Sequence, residues 1–194
     1  MIGVILCGGQ STRMGTDKGL LKLQADTWAK TAVDKMAALS IPVVLSVNAN
    51  QYAEYVNIFP ADQLIKDDES LQLRGPLYGV LSVHLRYPTE DLFVLACDMP
   101  LLDPSLLTEL FNRYKQQSSF AAFVYNNDNE PEPLCGIYKS NGLSHIMDLY
   151  QTKKLFKHSM KYMLEHVTTA LIPVPADQKN SFRNFNAHAE LNGL

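Results

Sequence analysis

Two uninterrupted apolar runs, IGVIL at 2–6 and LFVLAC at 92–97, constrain this chain more than any other feature. Each is short, and each stops where a regular element cannot continue: the first at Gly8-Gly9, the second at Asp98-Met99-Pro100. Runs of this length with no polar alternation suit strands buried on both faces, as in a parallel sheet covered by helices. The rest of the chain alternates in the same way. Residues 28–39 place Trp28, Ala32, Val33, Met36 and Ala37 at helical spacing. PVVLSVN (42–48) and QLIKD (63–67) read as strands, with a short helix over 51–55 between them. A helix over 76–85 opens with Pro76, and one over 104–115 has Asp103 as its N-cap and Pro104 in its first position. FAAFVY (120–125), PLCGIY (133–138) and ALIPV (170–174) are further strands, with helices expected over 142–150 and 156–166. The predicted fold is α/β: a three-layer α/β/α sandwich around a mostly parallel, doubly wound sheet, as one domain over 1–194.

In such folds ligands bind outside the carboxyl ends of the strands. That rule puts the glycine turn, Asn48, Asp67 and Asp98 on one rim. Net charge is −3 and no basic run occurs, so nucleic acid is not an expected partner. No apolar run approaches the ~20 residues of a membrane span, and no membrane partner is expected. Cys7, Cys97 and Cys135 form no CxxC pair, against a disulfide framework or zinc site. With no basic, apolar leader at Met1, the expected setting is cytoplasmic and reducing. The five histidines (His84, His145, His158, His166 and His188) lack metal-ligand spacing and read as solvated helix residues.

The turn LCGGQSTRMGTDKG, which starts at Leu6 and Cys7, carries the chemistry. Gly8 and Gly9 let the backbone bend and approach a ligand closely, and successive amides there form an anion-binding nest. Arg13 and Lys18 add the full positive charges a triphosphate needs. A Walker loop requires GxxxxGK[ST] and the dinucleotide fingerprint requires GxGxxG; neither spacing is present. Asp98 ends a buried strand beside Met99-Pro100, where a carboxylate can hold Mg²⁺ while the ion bridges phosphate oxygens. Asp103 already caps the following helix, so Asp98 is not needed for that task. Asn48, and either Asp67 or Asp68, are further polar residues at strand ends. Strand phase favours Asp67, whereas ungapped spacing back from Gly75 favours Asp68.

LCGGQSTRMGTDKGLL resembles the opening motif LAGGxSxRMGxDKxLL of the molybdenum cofactor guanylyltransferase family, with Cys7 in place of Ala. The resemblance runs in order through Asn48, GPLYG (75–79), CDMP (97–100), PLCGIY and FRNFN (182–186). It implies a Rossmann-like nucleotidyltransferase fold, with Leu6, Cys7, Gly8, Gly9, Lys18, Asn48 and Asp67 or Asp68 around the nucleotide. Asn48 and the Asp would then recognise the base. It makes Asp98 the magnesium ligand and puts Asn184 and Asn186 near a second substrate. KLFKHSMKYMLEH (154–166) departs from the family, in which Gly and Arg often precede that helix.

The implied reaction is in-line attack by a terminal phosphate of molybdopterin, or its molybdenum-loaded form, on the α-phosphorus of GTP. Pyrophosphate leaves, and the guanine dinucleotide cofactor forms. Arg13, Lys18 and Asp98 would be the catalytic residues, with charge neutralisation as the main device. The resemblance leaves room for transient contact with other cofactor-biosynthesis proteins. CTP as donor, a sugar phosphate as acceptor, and a non-catalytic nucleotide sensor are the alternatives.

Overall fold

The computed structural model describes residues 1–8, 17–23 and 25–183. Gly9, Arg13, Asn184, Asn186 and His188 lie outside the described residues. A seven-stranded sheet is formed by β1 (Ile2–Leu6), β4 (Val43–Val47), β5 (Leu64–Lys66), β6 (Leu92–Ala96), β7 (Ala122–Asn127), β8 (Glu130–Tyr138) and β9 (Thr169–Pro173). Two short strands, β2 (Lys22–Leu23) and β3 (Asp26–Thr27), pair antiparallel as a separate ribbon. The sheet order is β5-β4-β1-β6-β8-β7-β9. All pairings are parallel except those of β8, which runs against both β6 and β7.

Helices cover both faces. On one side α1 (Trp28–Ala37) and α4 (Pro104–Gln116) supply Ala29, Ala32, Met36, Leu106, Leu107 and Leu110 to a core with Ile5, Leu45, Phe93 and Leu95. On the other, α3 (Pro76–Arg86), α5 (Ser140–Gln151) and α6 (Met160–Leu164) supply Leu77, Val80, Leu143, Ile146, Met160 and Met163 against Val4, Leu6 and Val94. Val4, Ile5 and Leu6 in β1, and Leu92, Phe93, Val94 and Leu95 in β6, alternate between the two cores, which is why both runs are apolar. The expected three-layer α/β/α sandwich is present.

Local chemistry sets the element ends. Thr27 caps α1 by accepting from Lys30 N at 3.2 Å, and Asp103 caps α4 by accepting from Ser105 N at 2.8 Å. Asp128 (φ 50°) and Asn129 (φ 67°) form a two-residue turn that folds β7 and β8 into a hairpin. β8 begins before its pairing with β6, at Glu130 rather than Cys135. The hairpin tip therefore extends past the carboxyl end of β6. Pro131 and Pro133 fall in that part of β8, where no β6 pairing calls for their amides.

Two expectations need correction. The helix expected over 156–166 is only Met160–Leu164, because Ser159 caps it by accepting from Tyr162 N at 3.2 Å. Residues 154–159 are irregular, with Phe156 80% exposed. His84 is not solvated: it is buried between α3 and α5, its Nε2 3.2 Å from Ser144 Oγ. No helix of the described residues is long and apolar enough to cross a membrane.

Leu95 is fully buried in β6 beneath α1 and α4. Leu95→Ala is expected to lower unfolding stability by about 2–5 kcal/mol in denaturant titrations. A loss below 1 kcal/mol would show that this core collapses around the cavity.

Candidate nucleotide site

β1 lies between β4 and β6, and the chain visits β4 and β5 on one side before crossing to β6 on the other. The topological switch point is therefore at the carboxyl ends of β1 and β6, where a doubly wound sheet opens a crevice. The parallel pairings continue past the strands: Cys7 N donates to Ser46 O at 3.0 Å, Cys97 N to Leu6 O at 3.1 Å, and Asp67 N to Val47 O at 3.0 Å. These bonds bring Gly8, Asn48, Asp67 and Asp98 to a common rim, as the strand assignments required.

Over β1, β4 and β5 the rim encloses a cavity of ≈ 400 Å³ lined by Leu6, Gly8, Ser46, Asn48, Asp67 and Gly79 among others. That size falls in the range of small-ligand pockets. Its floor is tight. A Cβ on Gly79 of α3 would lie 2.4 Å from Ser46 Oγ, so only glycine lets the helix come this close to β4. Gly75, which precedes α3, has φ 71°, a conformation that side chains oppose.

The structure separates the two candidate aspartates. Asp67 lines the cavity, with Oδ1 3.5 Å from Ser46 Oγ. Burial pushes its carboxyl up to about 6, and the Ser46 hydroxyl only partly offsets this. Asp68 is turned away, its Oδ1 accepting from Ser70 N at 2.9 Å and Ser70 Oγ at 2.6 Å. Those bonds hold its carboxyl below the usual carboxylate range. Asn48 lines the cavity but also caps α2 (Ala49–Tyr55), accepting from Asn50 N and Gln51 N at 3.0 Å each. Its carboxamide oxygen is thus committed to the helix, and contact with a ligand would fall to Nδ2.

At the switch point, Lys18 Nζ lies 3.4 Å from Asp98 Oδ2. Both side chains are about four-fifths buried, with 23% and 21% exposed. Lys18 opens a short 3₁₀ turn, Lys18–Leu20, capped by Asp17. Asp17 Oδ1 accepts from Gly19 N at 2.8 Å and from Tyr55 Oη at 3.2 Å; Oδ2 accepts from Gln51 Nε2 at 2.6 Å. Gln51 Nε2 also donates to Cys7 O at 2.8 Å, and Gln51 Oε1 accepts from Asn48 N at 2.9 Å. Burial, reinforced by Cys7, Cys97 and Asp17, pushes the Tyr55 phenol far up, so it stays a donor. A Cβ on Gly19 would meet Tyr55 Oη at 2.1 Å, which ties this glycine to the network.

Cys7 does not present its side chain to the cavity. It enters the core under α1, and its carbonyl rather than its sulfur serves the rim. Hydrogen bonding to Cys7, together with full burial, holds the Cys97 thiol well above its ordinary pKa; neither is placed as a nucleophile. All three cysteines are free and buried.

Sequence reasoning missed Ser46, Gln51 and Tyr55, and it singled out Gly79 only as part of GPLYG. Gln51 had a readable signal, since it stands three residues after the Asn cap in capping-box spacing. Ser46 had none, because its place depends on how deeply α3 sits on β4, and the close approach of Gly79 to it could not be read from the motif.

An acid whose pKa is raised on folding takes up a proton more readily when folded. Stability therefore declines as pH rises from about 4 to about 6 through Asp67, and the penalty persists above that. Asp67→Asn is expected to remove this decline and raise Tm at neutral pH. An unchanged Tm would show that the carboxylate is not desolvated.

Comparison with known proteins agrees with this geometry. The family model for the MobA-like NTP transferase domain matches residues 3–169. A probable molybdenum cofactor guanylyltransferase from Geobacillus sp. is 31% identical over 81% of this chain and 82% of its own length. The molybdenum cofactor guanylyltransferase of Shewanella sediminis is 30% identical over 94% of this chain and 89% of its own. In fold, the crystal structure of molybdopterin-guanine dinucleotide biosynthesis protein A from Archaeoglobus fulgidus superposes with a TM-score of 0.78. It covers 99% of this chain and 95% of that one at 21% identity. On the extent of the family match and these relatives, the chain is a nucleotidyltransferase that belongs to the MobA-like NTP transferase family.

Proposed function

We propose that this chain transfers GMP from GTP to the terminal phosphate of molybdopterin, or of its molybdenum-loaded form. Pyrophosphate is released and the guanine dinucleotide cofactor is formed. The observation that carries the reading is a cavity of small-ligand size with a carboxylate inside it, next to a largely buried Lys18–Asp98 pair at the switch point. The names of the relatives support the same donor and acceptor.

Asp67 accounts for guanine. An ionised carboxylate accepts from both N1–H and N2–H₂ of that base. Cytosine offers one amino group beside two acceptors that the carboxylate would repel, so CTP is disfavoured. Lys18 and the Gly8 amide would hold the β- and γ-phosphates and stabilise the departing pyrophosphate. Gly9 and Arg13 are assigned to the same task from their places in the motif.

Asp98 Oδ1 is buried and, among the described residues, has no hydrogen-bond partner. A hard anionic oxygen left free at this point fits Mg²⁺, which typically takes one or two carboxylates and completes its shell with phosphate oxygens and water. Bound there, the ion would neutralise charge developing on the transferred phosphate. No general base is required, because the acceptor phosphate is already ionised. With the nucleotide over β1, β4 and β5, the side of Asp98 toward the β7–β8 hairpin is left for the acceptor. Asn184 and Asn186 are assigned to it from the motif. Three free thiols suit a reducing compartment and support a cytoplasmic location.

The deciding experiment is turnover with GTP, molybdopterin and Mg²⁺, followed as pyrophosphate release. Lys18→Ala and Asp98→Ala are each expected to lower kcat by a factor of about 10² or more while leaving Tm near wild type. Full activity in either variant sinks that residue's role, and turnover with CTP but not GTP sinks the guanine assignment. GTP affinity is expected to weaken as pH falls through about 6, where Asp67 takes up its proton. Asp67→Asn should bind more weakly and lack this component of the pH dependence.

A further inference from the structure

The carboxamide of Gln51 bonds to three separate parts of the site. Nε2 donates to Cys7 O at 2.8 Å and Asp17 Oδ2 at 2.6 Å, while Oε1 accepts from Asn48 N at 2.9 Å. Cys7 and Asp17 flank residues 9–16, so a single nitrogen joins the two ends between which the glycine-rich turn runs. Asn48 lines the base cavity, and Lys18 follows Asp17 directly. We propose that Gln51 is the positioning residue that sets the triphosphate side of the site against the base side. This role rests on the nucleotidyl-transfer reading above.

The chemistry explains why glutamine stands here. Asp17 carries a negative charge one residue from Lys18, where an unpartnered carboxylate would compete with phosphate for the ammonium. Donors from Gly19 N, Tyr55 Oη and Gln51 Nε2 direct that charge toward α2 instead. Gln51 must accept from one amide and donate to two oxygens at once. Glutamate can accept but cannot donate, and asparagine is one methylene too short.

The test separates this role from simple damage. Gln51→Glu keeps an acceptor for Asn48 N, and with it the cap of α2, but sets a carboxylate against Asp17 and Cys7 O. It is expected to raise KM for GTP about tenfold or more, as for a lost charge-assisted hydrogen bond, with a smaller change in kcat and Tm near wild type. Gln51→Glu combined with Asp17→Asn should recover part of the loss, because the introduced amide can donate to the introduced carboxylate while Cys7 O stays without its donor. Unchanged KM in the single variant, or equal losses in single and double variants, would overturn the proposal. Hydrogen exchange of the Gly19 amide, measured by NMR without substrate, reads the bracket independently of turnover. Exchange is expected to be about tenfold faster in Gln51→Glu; an unchanged rate overturns the bracket. Absence of GTP turnover in the unaltered protein would instead overturn the function assigned above.

Discussion

The site depends on three backbone hydrogen bonds that carry parallel pairing one residue beyond the strands: Cys7 N to Ser46 O, Cys97 N to Leu6 O and Asp67 N to Val47 O. A strand's end is where a chain leaves register, and loops there usually diverge. Here the ladder holds the first loop residues level across β5, β4, β1 and β6, so four segments far apart in sequence present their side chains on one rim. Such alignment comes from the sheet and requires no contact between the functional side chains themselves. It also explains why β1 and β6 are apolar to their last residue. Any polar side chain within them would have to be buried in one of the two helical layers.

Much of this was legible because local and global signals agree. The runs at 2–6 and 92–97, the cap Asp103, and Pro76 and Pro104 at helix starts are each decided within a few residues. The antiparallel course of β8 was less visible, although Asp128 and Asn129 supply the two left-handed residues that a tight hairpin requires. The helix expected over 156–166 failed because Ser159 offers a local cap that begins the helix later. His84 was misjudged since nothing in its neighbourhood announces that Ser144, 60 residues away, will cover it.

Within the site, the division between Asp67 and Asp68 shows where one-dimensional reasoning ends. Both follow β5, and motif spacing and strand phase point to different members of the pair. One rotates into the cavity and keeps a pKa pushed up to about 6 by burial. The other spends its carboxylate on the Ser70 turn. That difference is a matter of strand phase, since adjacent residues at the end of a strand face opposite sides. The glycine-rich motif was easier to interpret, because the roles proposed for Gly8 and Lys18 rest on chemistry that residue type alone declares.

Gly79 has a consequence for how the proposed base cavity could change its choice of ring. The wall of the cavity there is a helix resting directly on a strand, with no room for a methyl group between Gly79 and Ser46 Oγ. A wall of that kind yields only as a unit: admitting a larger ring, or closing on a smaller one, would require α3 to slide over the sheet and disturb Leu77, Val80 and Leu81 in the core behind it. Selectivity built on a movable loop can drift one residue at a time. Selectivity built on a close-packed helix resists gradual drift, and a lineage on this scaffold would retune its nucleotide more readily through the polar residues at the cavity's edge.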